Sequence, residues 1–270
     1  PDAYIFHRFD PGYISEFAGF IQVQDYFRCK DICCLITDHK CPPGAFSRGA
    51  QIGFIANRIG TFFMQAAINA TLDLGLTVEE ADAVCGKPMG VPKTGVFGLM
   101  DLVGLDLMPL IAKSFLATLP ADDEYRKIHR APPLFDKMIA DGYTGRKGKG
   151  GFYRLNTEGG GKVKEAINLQ TGAYAPAGKD KIPTLDAAGK DLRALCLVND
   201  KIGKMAWAVL RQTLCYAASL VPQIADDVVA VDNAMKWGYN WDYGPFELLD
   251  KLGTAWFTER LQAEGHAVPE

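Results

Sequence analysis

The chain has 270 residues, 48% hydrophobic and 23% charged, a composition that supports one or two folded globular domains. Its 29 Lys and Arg against 32 Asp and Glu leave a formal charge of −3, so no nucleic-acid partner is expected. No apolar run approaches the about 18 residues of a membrane span. The opening Pro1-Asp2-Ala3 carries neither a charged leader nor an apolar signal stretch, so a cytoplasmic protein is expected. The absence of an initiator Met further suggests a fragment of something longer.

Seven cysteines in this length do not make a disulfide scaffold. Cys29, Cys33, Cys34 and Cys41 cluster around His39, but a zinc module needs paired ligands in two separated knuckles. They are read as reduced thiols, and no metal is expected. The sequence holds no G-x-G-x-x-G, no P-loop, no G-x-S-x-G elbow and no H-E-x-x-H.

From Ile52 to Leu119 the pattern is helical. Ile55, Ile59, Phe62, Phe63, Ala66, Ala67 and Ala70 recur at helical spacing up to a stop at Gly75. Thr77-Val-Glu-Glu80 reads as a capping box opening a second helix, with Val78, Ala81 and Val84 or Cys85 inward. A breaker-rich loop, Gly86 to Pro92, precedes helices predicted over Phe97–Val103 and Leu105–Leu119. Pro132-Pro133 starts a short helix ending at Gly142, and the basic loop 145–151 follows. Residues 156–190 lose apolar periodicity and read as a linker or irregular arm. One long amphipathic helix is predicted from Asp191 to Leu220, and a last one from Asp226 to Gly238.

The organisation contains a repeat. Asn57-Arg-Ile-Gly60 recurs as Asp200-Lys-Ile-Gly203, Ala81-Asp-Ala-Val84 as Val231-Asp-Asn-Ala234, and Gly95-Val-Phe-Gly-Leu-Met-Asp-Leu-Val-Gly104 as Gly244-Pro-Phe-Glu-Leu-Leu-Asp-Lys-Leu-Gly253. The offsets, 143, 150 and 149 residues, fit duplication with small insertions. Two copies of a helical unit would bury their apolar stripes against each other.

Three of these segments together resemble the C-terminal domain of the 3-hydroxyacyl-CoA dehydrogenase family: Ile52-Gly-Phe-Ile-Ala-Asn-Arg-Ile-Gly60, Gly95 to Asp106, and Gly145-Arg-Lys-Gly-Lys-Gly-Gly-Phe-Tyr153. The second copy makes the chain similar to multifunctional β-oxidation proteins, which carry this domain twice. The resemblance implies a mainly α fold of two such helical units, preceded by a short remnant of an α/β Rossmann domain. The implied boundaries are 1–50 for the remnant, 51–155 for the first unit, 156–190 for the arm and 191–270 for the second. The implied reaction is NAD-dependent oxidation of a 3-hydroxyacyl-CoA to the 3-ketoacyl-CoA. NAD would be bound mainly by a region missing from this chain.

Tyr4-Ile-Phe-His7-Arg-Phe-Asp-Pro11 looks like the family's catalytic-histidine segment, with His7 fifty residues before Asn57. A neutral imidazole suits the removal of a hydroxyl proton. The family orients it with a glutamate about a dozen residues on; an ungapped count lands on Gly19, and the nearest acid is Glu16. Asn57 is implied to hydrogen-bond the substrate, since an amide positions without titrating. Its alternative is a helix N-cap, the role expected for Asp200. Arg146, Lys147 and Lys149 either meet CoA phosphates or form a solvated connection. The run Trp237 to Tyr243 either lines an acyl pocket or packs between the repeats. An acyl-CoA substrate, and other catalytic domains of the same parent or a homo-oligomer, are the expected partners. The alternative function is a non-catalytic helical assembly and substrate-covering module.

Overall fold

The computed structural model describes residues 55–157, 160–178 and 181–269. His7, Glu16 and the cysteine cluster around His39 therefore lie outside the described residues. Among those residues the protein is mainly helical, with twelve α-helices and one small sheet.

Helix α1 spans Ile55–Asp73 and is buried on nearly every side, including the predicted stripe of Ile59, Phe62, Phe63, Ala66, Ala67 and Ala70. A helix apolar all round belongs at the centre of a fold. It ends at Gly75, which takes a left-handed φ of 62°. Helix α2, Val78–Val84, opens with the predicted capping box: Thr77 Oγ1 accepts from the Glu80 amide at 3.2 Å, and Glu80 Oε2 accepts from the Thr77 amide at 2.9 Å. Helices α3 (Phe97–Val103), α4 (Met108–Thr118), α5 (Glu124–Ile128) and α6 (Pro133–Ala140) complete the first group.

The segment 156–190, expected to be irregular, is not. Strands β1 (Tyr153–Asn156), β2 (Val163–Ile167) and β3 (Tyr174–Pro176) form an antiparallel sheet, with Tyr153 opposite Ala166 and Ile167 opposite Tyr174. Strands of three to five residues are too short to display a period, and only Glu165, Ala166 and Ile167 of β2 are buried. Helix α7, Pro183–Ala188, follows.

The single helix expected over Asp191–Leu220 is two, α8 (Leu192–Leu197) and α9 (Lys201–Ser219). Asp200 adopts an extended backbone and accepts the Gly203 amide at 2.8 Å, capping a new helix. The chain doubles back so closely that a Cβ on Gly203 would sit 2.1 Å from the Val198 carbonyl. Helix α10, Val228–Gly238, is capped by Asp227 rather than opened by Asp226. It is not the last: α11 (Pro245–Leu252) and α12 (Thr254–Ala263) follow.

Helix α1 packs along α9, the start of one against the end of the other, with Phe62 stacked on Tyr216 at 3.9 Å between ring centroids. Helix α10 closes over the same region. A Cβ on Gly60 would overlap the Tyr239 ring, and Phe63 meets Trp241 edge-on at 5.0 Å. Tyr239 and Trp241 are thus packed between the two helical groups, while Trp237 and Tyr243 are exposed. No described helix is long and apolar enough to cross a membrane.

Candidate functional site

The Asn57-Arg-Ile-Gly60 segment sends its residues to opposite sides of α1. Arg58 is 1% exposed and pairs with the buried Asp123. Its Nε donates to Tyr216 Oη at 3.0 Å, and that hydroxyl donates to Asp123 Oδ1 at 3.0 Å. Asp123 also caps α5, accepting the Tyr125 amide at 2.8 Å. One guanidinium therefore ties α1, α9 and the start of α5 together. Such a charge is tolerated inside because Asp123 and Tyr216 pair with its Nε and one terminal nitrogen, while Nη1 is buried without a hydrogen-bond partner.

Asn57 lies half-buried in the first described turn of α1, within the helix rather than at its cap. The cap alternative is thereby corrected. Helical spacing places Asn57, Thr61, Met64 and Ile68 on one face. The last three line a cavity of about 510 Å³ between α1, α4 and α6.

Two buried carboxylates explain the remaining motifs. Asp101 Oδ1 accepts the Phe152 amide and Oδ2 the Tyr153 amide, each at 2.8 Å, while the Asp101 carbonyl accepts the Arg146 amide at 2.8 Å. The glycines of 145–151 are needed for this approach: a Cβ on Gly151 would lie 1.9 Å from Asp101 Oδ1, and one on Gly145 would lie 2.4 Å from its carbonyl. Asp82 accepts the amides of Val96 and Phe97 at 2.7 Å, that of Gly98 at 3.0 Å and the Tyr153 hydroxyl at 2.8 Å. Burial pushes Asp82 up to about 7 against those four donors, and Asp101 up to about 6. The Gly-Arg-Lys-Gly-Lys-Gly-Gly-Phe-Tyr segment is thus a clasp that locks β1 onto α2 and α3.

Arg146, Lys93, Lys149, Arg154 and Lys164 line an open groove of about 700 Å³ over this clasp. Lys147, the other predicted cation, does not line it and pairs instead with Asp106 at 2.8 Å. Lys149 donates to the Asp141 carbonyl at 2.9 Å, and Arg154 pairs with Glu165 at 2.6 Å. Arg146 and Lys147 are exposed, and Asn57 lines neither the basic groove nor the 510 Å³ cavity.

Arg58, Asp123, Tyr216, Asp82 and Asp101 were not singled out from the sequence. A signal existed for the two aspartates: Asp82 and Asp232 sit at equivalent places in the repeat, as do Asp101 and Asp250. Asp123 and Tyr216 carry none, because their pairing spans 93 residues.

The described residues contain no parallel strand–helix–strand unit, and the sequence has no glycine-rich dinucleotide loop. These residues therefore do not fit an NAD site.

Residues 53–155 match the family described as 3-hydroxyacyl-CoA dehydrogenase, C-terminal domain. The chain is 42% identical over 197 residues to a Rickettsia felis protein described as a fatty acid oxidation complex trifunctional enzyme, covering 73% of this chain and 27% of that protein. It is 35% identical over 222 residues to a Bacillus subtilis protein described as a 3-hydroxyacyl-CoA dehydrogenase, covering 80% and 27%. A fatty acid oxidation complex subunit alpha from Shewanella halifaxensis is 30% identical over 207 residues, covering 75% and 25%. The chain spans about a quarter of the length of these relatives.

Proposed function

Through residues 53–155 the chain belongs to the family of 3-hydroxyacyl-CoA dehydrogenase C-terminal domains, and from that premise we propose that it is the helical part of an NAD-dependent 3-hydroxyacyl-CoA dehydrogenase acting in fatty-acid β-oxidation. The observation that carries this reading is the division of labour in one helical turn. Arg58 anchors α1 from inside, which leaves the neighbouring Asn57 amide held on a rigid helix and half-exposed. In the proposed site that amide hydrogen-bonds the acyl-CoA beside its reacting carbon. His7 takes the hydroxyl proton, and Glu16 fixes its tautomer. Arg146, on the basic groove, is proposed to meet CoA phosphates, with Lys147 at its edge. NAD, if bound, would supply the hydride acceptor, and it is assigned to residues other than those described.

The two helical groups are proposed to be copies of one unit, with 1–50 the remnant of a nucleotide-binding domain, 51–155 the first copy, 156–190 an arm and 191–270 the second. Matching details support the duplication. Asp232 accepts the amides of Phe246 and Glu247, as Asp82 accepts those of the corresponding Phe97 and Gly98. A Cβ on Gly244 would strike Asp232, as one on Gly95 would strike Asp82, and Gly104 and Gly253 end their helices with φ of 115° and 86°. The burial of α1 against α9 and α10 also favours a covering and assembly role for the second copy. Other catalytic domains of the same parent are the proposed partners.

The full-length enzyme is expected to reduce acetoacetyl-CoA with NADH, while the 270-residue chain alone binds no NAD⁺ by calorimetry. Absence of any reduction would remove the dehydrogenase reading.

A further inference from the structure

Resting on the dehydrogenase reading, the geometry points to the 510 Å³ cavity between α1, α4 and α6 as the subsite for the substrate's acyl tail, and we propose Met64, Ile68, Leu105 and Ile111 as the residues that set chain-length preference. The size falls within the range of small-molecule pockets. The lining is mostly apolar, with leucine, isoleucine, methionine and phenylalanine side chains predominating, and the charged Lys113, Arg130 and Asp136 also border it. Three of its polar members engage one another: Gln65 Oε1 lies 3.3 Å from His129 Nδ1, which lies 3.4 Å from Tyr125 Oη, and Gln65 Nε2 donates to the Arg130 carbonyl at 3.1 Å. An alkyl chain entering it leaves none of these groups stripped of a partner.

The direction follows from α1. Asn57, proposed to hold the reacting end, shares a helix face with Thr61, Met64 and Ile68. From Thr61 to Ile68 that face rises by roughly 10 Å, the length of a medium acyl chain. The other groove, over the clasp, is lined by five cations against the two carboxylates Asp82 and Asp101, a net positive lining that suits phosphates better than alkyl groups. The protein therefore offers separate surfaces to the two chemically opposite ends of an acyl-CoA.

Transfer of each methylene into an apolar site is worth about 0.8 kcal/mol. The full-length enzyme should accordingly show kcat/KM rising about tenfold for each added pair of methylenes, from acetoacetyl-CoA toward 3-ketodecanoyl-CoA. Ala112→Trp, from α4, obstructs the cavity, whose lining does not include Asn57, and Ala117→Trp does so from an exposed position of the same helix. Either substitution is expected to lower kcat/KM for 3-ketodecanoyl-CoA about 100-fold and to leave acetoacetyl-CoA unchanged, with melting temperature read alongside. Equal loss on both substrates in a folded variant, or no loss on either, would overturn the assignment. If wild-type enzyme reduces neither substrate, the dehydrogenase reading fails by itself. The cavity is then read by binding of the fluorescent fatty acid parinaric acid to the 270-residue chain. Binding abolished by Ala112→Trp supports the pocket, and binding indifferent to it overturns the pocket.

Discussion

Two long helices of 19 residues, α1 and α9, begin with nearly the same words, Asn-Arg-Ile-Gly and Asp-Lys-Ile-Gly, and use them differently. In α9 the first residue is spent on the backbone: Asp200 caps the helix through the Gly203 amide, and Lys201 reaches across to Glu80 at 2.6 Å, half-exposed. In α1 the charge is buried instead. Arg58 closes a network with Asp123 and Tyr216, and Asn57 lies within the helix, its side chain not used as a cap. The same divergence separates the two buried aspartates. Asp82 collects four donors, Tyr153 among them, whereas Asp232 collects the Phe246 and Glu247 amides. In the proposed duplication, the first unit would be the one tightened around a site and the second its support.

That comparison breaks first at Arg58. Arg58→Ala strands the Asp123 carboxylate in the interior and should destabilise the chain by about 3–5 kcal/mol, whereas Lys201→Ala should lose about 0–1 kcal/mol; urea midpoints measure both. Next, Asp82→Asn cannot accept all four donors and should lose about 2–3 kcal/mol, with Asp232→Asn costing about 1 kcal/mol. Equal effects would mean the two units are not differently tightened. Gly151→Ala pushes a methyl into Asp101 and should lose about 1–3 kcal/mol, while Gly161→Ala, with open space around it, should be close to neutral by thermal melting.

A further expected effect is a slope. Asp82 sits near pH 7 in the folded protein against an ordinary 3.8. Between those values the folded chain keeps a proton the unfolded chain has released. Stability is therefore greatest at the acid end of the window and falls as pH rises toward 7. Asp82→Asn should flatten that fall, and an unchanged slope would remove Asp82 as its source.

The helical class, the capping box at Thr77, the stop at Gly75 and the buried stripe of α1 were legible because each is written in residues close together in the chain. The sheet at 153–176 was not, since its strands are too short to show alternation and its order comes from Asp101 and Phe152 outside it. The break before Asp200 was hidden because Leu192, Leu195, Ile202 and Met205 keep a helical rhythm across it. The basic loop announced cations, but two of its glycines, Gly145 and Gly151, proved to be dictated by Asp101, 44 and 50 residues earlier. Long-range pairs such as Arg58 with Asp123 leave no local mark.

The most direct test pairs Asn57→Ala with Asp200→Ala in the full-length enzyme, reading turnover of acetoacetyl-CoA and melting temperature together. The account predicts that Asn57→Ala lowers kcat/KM about 100-fold with the melting temperature nearly unmoved. It predicts that Asp200→Ala removes about 1 kcal/mol of stability and leaves turnover intact. A loss of stability at Asn57 with normal turnover, or a loss of turnover at Asp200 in a folded protein, would contradict it.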